Sequence, residues 1–295
     1  MTSFNGFWPA LLTPYTREDQ VNFSVLRDLV DYHLSKKVTG LYICGSTGEG
    51  AFQSTEERLK ICETVMDQVN GRIPVIVHVG ASALNEAITL ARQAERLGAA
   101  GISSIVPPVV YNPAGIAPYL AKLAASVPGL PFFPYLFGGS INSLALLKEL
   151  APIPNFLGTK YFGANMYEMG QIAKFRSENW TVFSGMDEQA ALGLMFGAHG
   201  VIGSTLNFMP GVYGKMIESI QAGNADQALD YQKRANRVTQ VMLEMGFVGC
   251  MRAAMSRLGF EVGEPRLPNL PLAFEKRAEL FARLDEAGFE ELAAL

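Results

Sequence analysis

Three observations place this chain in the α/β class, as a (β/α)8 barrel (TIM barrel) with a C-terminal helical extension. Short apolar runs alternate with amphipathic helical patterns eight times before about residue 222. The runs are apolar on both faces, as strands of a parallel sheet covered by helices must be. No Gly-x-Gly-x-x-Gly follows the first run, so the alternation favours a closed barrel of eight units over an open doubly wound sheet. The expected division is residues 1–222 as barrel and residues 223–295 as a helical extension packed on it.

The elements follow in order. Phe7 to Leu12 is an apolar run closed by Thr13-Pro14 and predicts a first strand, with a helix over Phe23 to Lys37. Leu41 to Cys44 predicts the second strand, then Gly45-Ser-Thr-Gly-Glu49 a loop, and Ser54-Thr-Glu-Glu57 is a capping box that opens the second helix. Ile73 to Val79 predicts the third strand, and Leu84, Ala87, Ile88, Ala91 and Ala94 mark one face of a helix that Gly98 ends. Gly101 to Val106 and Gly115 to Ala125 form the fourth unit. Pro131 to Tyr135 and Asn155 to Lys160 predict strands five and six, and Ala164 to Phe175 the helix behind strand six. Thr181 to Ser184 and Gly200 to Gly203 complete the eight, and three helical segments follow near Asn224 to Met245, Val248 to Leu258 and Pro271 to Ala287.

Composition narrows the function classes. Apolar residues make up 49% of the chain and charged residues 18%, which describes a globular protein with a large core. A formal charge of −4, without basic runs, argues against a nucleic-acid partner. No apolar span approaches the roughly 20 residues of a transmembrane helix. Met1-Thr-Ser-Phe-Asn-Gly lacks the features of a signal peptide, so a cytoplasmic location is expected. Three cysteines, Cys44, Cys62 and Cys250, have no metal-type spacing and fit a reducing compartment. Cys44 reads as an apolar strand end rather than a nucleophile, and His33 and His78 as packed residues rather than ligands. No His/Asp/Glu cluster suggests a metal.

In such barrels the chemistry sits at the carboxyl ends of the strands. Lys160 falls there on strand six, where it is either a surface cation or an amine whose pKa a closed site lowers, freeing it as a nucleophile. Tyr135 ends strand five and would share the same mouth, either as a core aromatic or as a proton shuttle. A Schiff-base enzyme needs that pairing, because the carbinolamine must exchange protons before water leaves. Gly45-Ser-Thr-Gly-Glu49 presents hydroxyls and N–H groups in a turn suited to a carboxylate. Gly185-Met-Asp-Glu188 places two carboxylates at a helix start, for binding or simply for capping.

These motifs together resemble the pyruvate-dependent Schiff-base lyases and synthases typified by N-acetylneuraminate lyase and dihydrodipicolinate synthase. The likeness runs from Phe7 to Pro265-Arg-Leu-Pro268. It rests on Gly45-Ser-Thr-Gly-Glu49, Tyr135, Gly158-Thr-Lys160, Gly185-Met-Asp-Glu188 and Gly203-Ser-Thr-Leu-Asn207, in the family's order. The resemblance implies a class I aldolase with Lys160 as the Schiff-base lysine and Tyr135 as proton shuttle. It implies Ser46 and Thr47 as the pyruvate carboxylate cradle, and Gly185, Asp187, Glu188 and Ser204 as contacts of a 2-oxo sugar acid. It further implies a homotetramer and no cofactor beyond the lysine imine. The carboxylate turn points to the sialic acid lyase branch, and Ser140 stands where the synthase branch carries an arginine.

Three positions depart from the family pattern. Strand five reads Tyr135-Leu-Phe-Gly138 rather than Tyr-x-x-Pro. Phe162 replaces a Thr or Ser two residues after the lysine. Val110 stands where relatives present a tyrosine to the neighbouring subunit, a role left to Tyr111. Alternatives within the reading are a 2-oxo-3-deoxy sugar acid dehydratase or a dihydrodipicolinate synthase-like enzyme using the same imine. A non-catalytic sugar-acid binding protein is a third, and a phosphate-binding barrel isomerase ranks last.

Overall fold

A computed structural model describes residues 3–105, 112–139 and 141–295. The expectations for Val110, Tyr111 and Ser140 therefore lie outside the described residues. Eight strands form one sheet: β1 (Gly6–Pro9), β2 (Leu41–Ile43), β3 (Val75–His78), β4 (Gly101–Ile105), β5 (Phe132–Phe137), β6 (Gly158–Phe162), β7 (Thr181–Ser184) and β8 (Gly200–Gly203). The order is β1-β8-β7-β6-β5-β4-β3-β2, with every neighbouring pair parallel. The open edge closes where Ala10 bridges Tyr42 in parallel and the Leu11 N–H donates to the Tyr42 carbonyl at 2.9 Å. The expected (β/α)8 barrel is thus the observed one.

Around it run α1 (Phe23–Ser35), α2 (Thr55–Val69), α3 (Leu84–Arg96), α4 (Ile116–Ala125), α5 (Ser143–Leu150), α6 (Met166–Ala173), α7 (Ala190–Met195) and α8 (Pro210–Gln221). Local signals set several of their ends. The Ser54–Glu57 capping box forms as expected, and Gly98 takes a φ of +76° just past α3. After α8 come α9 (Ala225–Met245), α10 (Phe247–Arg257), α11 (Arg277–Glu286) and α12 (Phe289–Ala294). The last of these was not expected from the sequence.

Two strand boundaries differ from expectation in a way that matters for the site. Strand six begins at Gly158 rather than Asn155, because the Asn155 amide turns back to donate to the carbonyls of Ala124, Val127 and Leu130 at 3.1, 3.0 and 2.9 Å. Pairing with β5 then carries the strand on to Phe162, and β5 runs to Phe137. Lys160 and Tyr135 consequently lie inside their strands rather than at the ends. A residue held by ladder bonds on both sides is a firmer base for chemistry than a loop residue.

Large rings opposite glycines fill the amino-terminal half of the barrel. A Cβ on Gly101 or Gly158 would come within 2.8 or 2.9 Å of the Phe133 ring, so the two glycines flanking β5 make its space. Phe133 and Trp8 each meet Phe183 edge-on, at 5.8 and 5.6 Å between centroids. This packed aromatic floor closes the barrel below the level of Lys160.

Candidate active site

Tyr135 and Lys160 are register partners on β5 and β6, and Phe137 and Phe162 are the next inward pair toward the mouth. The Lys160 side chain is only 5% exposed. Its ammonium stands 4.2 Å from the centroid of the Tyr135 ring and 5.0 Å from that of Tyr42. Ring faces favour the cation, but burial dominates and pushes the Lys160 pKa down to about 8, with the Asp187 charge pulling the other way. A minor fraction of the amine is therefore neutral at pH 7, far more than an ordinary lysine would offer. Burial raises the Tyr135 phenol above its ordinary value, so the hydroxyl stays protonated and can donate.

Two glycines give the lysine and its neighbouring carboxylate their room. A Cβ on Gly185 would approach Lys160 Cε to 2.8 Å, and one on Gly203 would lie 1.7 Å from Asp187 Oδ1. Asp187 itself is buried, and its Oδ2 accepts the Thr205 N–H at 2.7 Å. Its Oδ1 is buried and has no hydrogen-bond partner among the described residues. Burial pushes the Asp187 pKa up to about 6, against the Thr205 N–H, which lowers it. The Asp187 carboxylate thus bonds to the β8 loop rather than capping its own helix. Gln232 and Asn236 of α9 hold that turn from behind, donating to the Asp187 and Glu188 carbonyls, each at 2.9 Å.

Thr47 Oγ1 and Ser204 Oγ lie 2.7 Å apart and link the loops after β2 and β8. The loop carrying Ser46 and Thr47 is anchored at Glu49, a non-glycine residue with a φ of +57°. Glu49 is buried and paired with Arg252 of α10. Its Oε2 accepts the Arg266 N–H at 2.8 Å and the Asn269 side chain at 3.2 Å. Arg252 also donates to the carbonyls of Thr13 and Val262, at 2.9 and 2.7 Å.

Ser46, Thr47, Tyr135, Lys160, Gly185, Asp187, Glu188 and Ser204 all line a single cavity of about 330 Å3. Every site residue expected from the sequence and described by the structure is therefore brought together. Sequence reasoning missed the rest of the lining: Phe137 and Ile202 from the barrel, and Leu243, Phe247, Val248 and Met251 from the end of α9 and from α10. Phe137 could have been found as the i+2 neighbour of Tyr135 on one strand face. Nothing local announces the α9–α10 residues, because only the fold brings them over the mouth.

The bland readings of the remaining candidates hold. Cys44 is buried, and desolvation pushes its thiol up to about 11, which leaves no thiolate to act. Burial pushes both His33 and His78 down to about 3, and His78 Nε2 accepts the Ile105 N–H at 3.0 Å. Among the described residues no helix is long and apolar enough to cross a membrane.

A family model described as the dihydrodipicolinate synthetase family matches residues 3–287. An N-acetylneuraminate lyase from Escherichia coli is 32% identical over 296 residues, covering 98% of this chain and 95% of that protein. One from Danio rerio is 32% identical over 283 residues, covering 92% of each. Among solved structures, the sialic acid aldolase of Ruminococcus gnavus superposes with a TM-score of 0.92 at 29% identity, covering 98% of this chain and 99% of that one.

Proposed function

This chain belongs to the dihydrodipicolinate synthetase family, and we propose that it is an N-acetylneuraminate lyase-like class I aldolase that breaks or forms a carbon–carbon bond between pyruvate and an aldehyde. The observation that carries the reading is the buried amine of Lys160, lowered to about 8 and seated against Tyr135 in the cavity that also holds Ser46, Thr47 and Asp187.

The reaction follows from those positions. Neutral Lys160 Nζ attacks the C2 ketone of a 2-oxo sugar acid whose carboxylate lies against Ser46 and Thr47. Tyr135 passes protons between the nitrogen and the carbinolamine oxygen, and water leaves to give a protonated imine. A base takes the proton of the C4 hydroxyl as the C3–C4 bond breaks, and the bonding pair moves into the iminium. The aldehyde departs, the resulting enamine takes a proton at C3, and water hydrolyses the imine to free pyruvate and Lys160. The iminium is the electron sink, so the reading calls for no resident metal or organic cofactor. A cytoplasmic homotetramer belongs to the same reading. Its support is the family likeness and two exposed aromatic side chains, Tyr167 of α6 at 73% and Phe196 just past α7 at 49%.

Incubation with pyruvate and borohydride tests the mechanism. A pyruvate-derived mass on the Lys160 peptide, absent from Lys160→Ala, is the expected result. The absence of any adduct on the folded protein sinks the Schiff-base reading.

A further inference from the structure

Phe137 and Phe162, register partners one step above Tyr135 and Lys160, stand with ring centroids 5.0 Å apart. Two residues along a strand is about 6.6 Å, so these rings lie at the level where carbons beyond the imine must pass on their way out of the cavity. The junction of α9 and α10 adds Phe247, Val248 and the buried Met251 to the same lining, with Leu243 exposed at the mouth. Among the described residues, and apart from Ser46 and Thr47 of the pyruvate half, polar side chains for the aldehyde half come from the loops after β7 and β8, with Asp187, Glu188 and Ser204. Asp187 Oδ1 is the buried acceptor there without a partner among the described residues.

A hydroxyl turned toward Asp187 exchanges water for a charged acceptor and loses little. A hydroxyl turned toward the rings or the α10 side chains gives up water and gains no partner from those apolar groups. Resting on the Schiff-base reading above, we propose that the aldehyde half of the substrate is amphipathic. Its hydroxyls are confined to the edge facing Asp187, Glu188 and Ser204, and it carries deoxygenated or alkyl carbon against Phe137 and Phe162. The enzyme on this basis disfavours an aldehyde that bears hydroxyls on every carbon.

Two four-carbon aldehydes separate the cases: erythrose, hydroxylated at each carbon beyond the carbonyl, and 2-hydroxybutanal, with a single hydroxyl. Condensation of each with pyruvate gives two values of kcat/KM for the unmodified enzyme, and the proposal expects 2-hydroxybutanal to lead by at least about tenfold. Phe162→Ser should shrink that ratio severalfold by supplying a polar partner, whereas Phe162→Leu should keep it. Equal rates, a lead for erythrose, or a ratio indifferent to Phe162→Ser in a folded variant overturns the proposal. Borohydride trapping of pyruvate on the unmodified enzyme separates the two failures. Trapping without the aldehyde preference removes this inference alone, and no trapping removes the aldolase reading with it.

Discussion

Tyr135 and Lys160 face each other across adjacent parallel strands in register, with the amine 4.2 Å from the phenol ring centroid. The pairing does two things at once. It buries the amine, which lowers its pKa, and it seats that amine against the ring of Tyr135, whose hydroxyl burial keeps protonated. Both depend on strand register, which ladder hydrogen bonds hold firmly.

The lowered lysine sets a pH profile. Only the neutral amine attacks a ketone, so the rate of borohydride-trapped adduct formation should rise about tenfold per pH unit below about 8 and level off above it. Stability should respond with a definite sign. Lys160 binds its proton more weakly in the folded chain than at the ordinary 10.5, so the unfolded chain holds more protons between about 8 and 10.5, and stability rises with pH through that window. Lys160→Met should therefore stabilise the protein at pH 7 and lose that advantage as the pH approaches 10.5. Denaturant titrations at several pH values check it, and a constant difference would show that the amine is not desolvated.

Removing one oxygen at Tyr135 should separate chemistry from packing. In Tyr135→Phe the ring keeps its neighbour Phe137, 5.0 Å away between centroids, and the stacked amine. Stability should change by less than about 1 kcal/mol. Turnover should fall by about a hundredfold or more, because a positioned proton donor contributes that much. Steady-state kinetics beside a thermal melt reads both, and undiminished kcat would dismiss the hydroxyl as the shuttle.

The Glu49–Arg252 pair joins the loop after β2 to α10, both partners being at most 2% exposed. Arg252→Met strands a buried carboxylate and should cost about 3–5 kcal/mol. Adding Glu49→Gln should recover part of that loss, since no charge then remains uncompensated. The Ser46–Thr47 loop loses its anchor in both variants, so the KM for pyruvate should rise even where the fold survives. A double-mutant cycle by urea unfolding, with KM measured alongside, tests the coupling.

Glycine at 203 should admit no replacement. The added carbon of Gly203→Ala would fall 1.7 Å from Asp187 Oδ1 and drive that carboxylate out of its place over β8. Loss of most turnover and a clear drop in Tm are expected. Gly115→Ala meets nothing within 4 Å among the described residues and is the control that should leave both unchanged. A fully active Gly203→Ala would mean that Asp187 can move without consequence.

The sequence by itself determined the eight strand–helix units of the barrel and the polar residues that line its cavity. Strand and helix periodicity, the Ser54–Glu57 capping box and the short motifs around Ser46, Lys160, Asp187 and Ser204 are all written in contiguous residues. Tertiary structure decided what contiguous residues cannot. Ladder pairing of Phe137 with Phe162 extended β5 and β6 beyond their apparent ends and placed Tyr135 and Lys160 mid-strand. Closure of the barrel at Ala10 and Tyr42 brought loops far apart in the chain to one mouth, where Thr47 meets Ser204 across 157 positions. The Arg252–Glu49 pair and the α10 side chains over the cavity are more distant still, with 203 positions between the paired residues. Periodicity reports the face that each segment buries, but not the partner it is buried against. Partners come from packing the whole chain, and in this protein they supply the apolar walls of the cavity and the desolvation that lowers the pKa of Lys160.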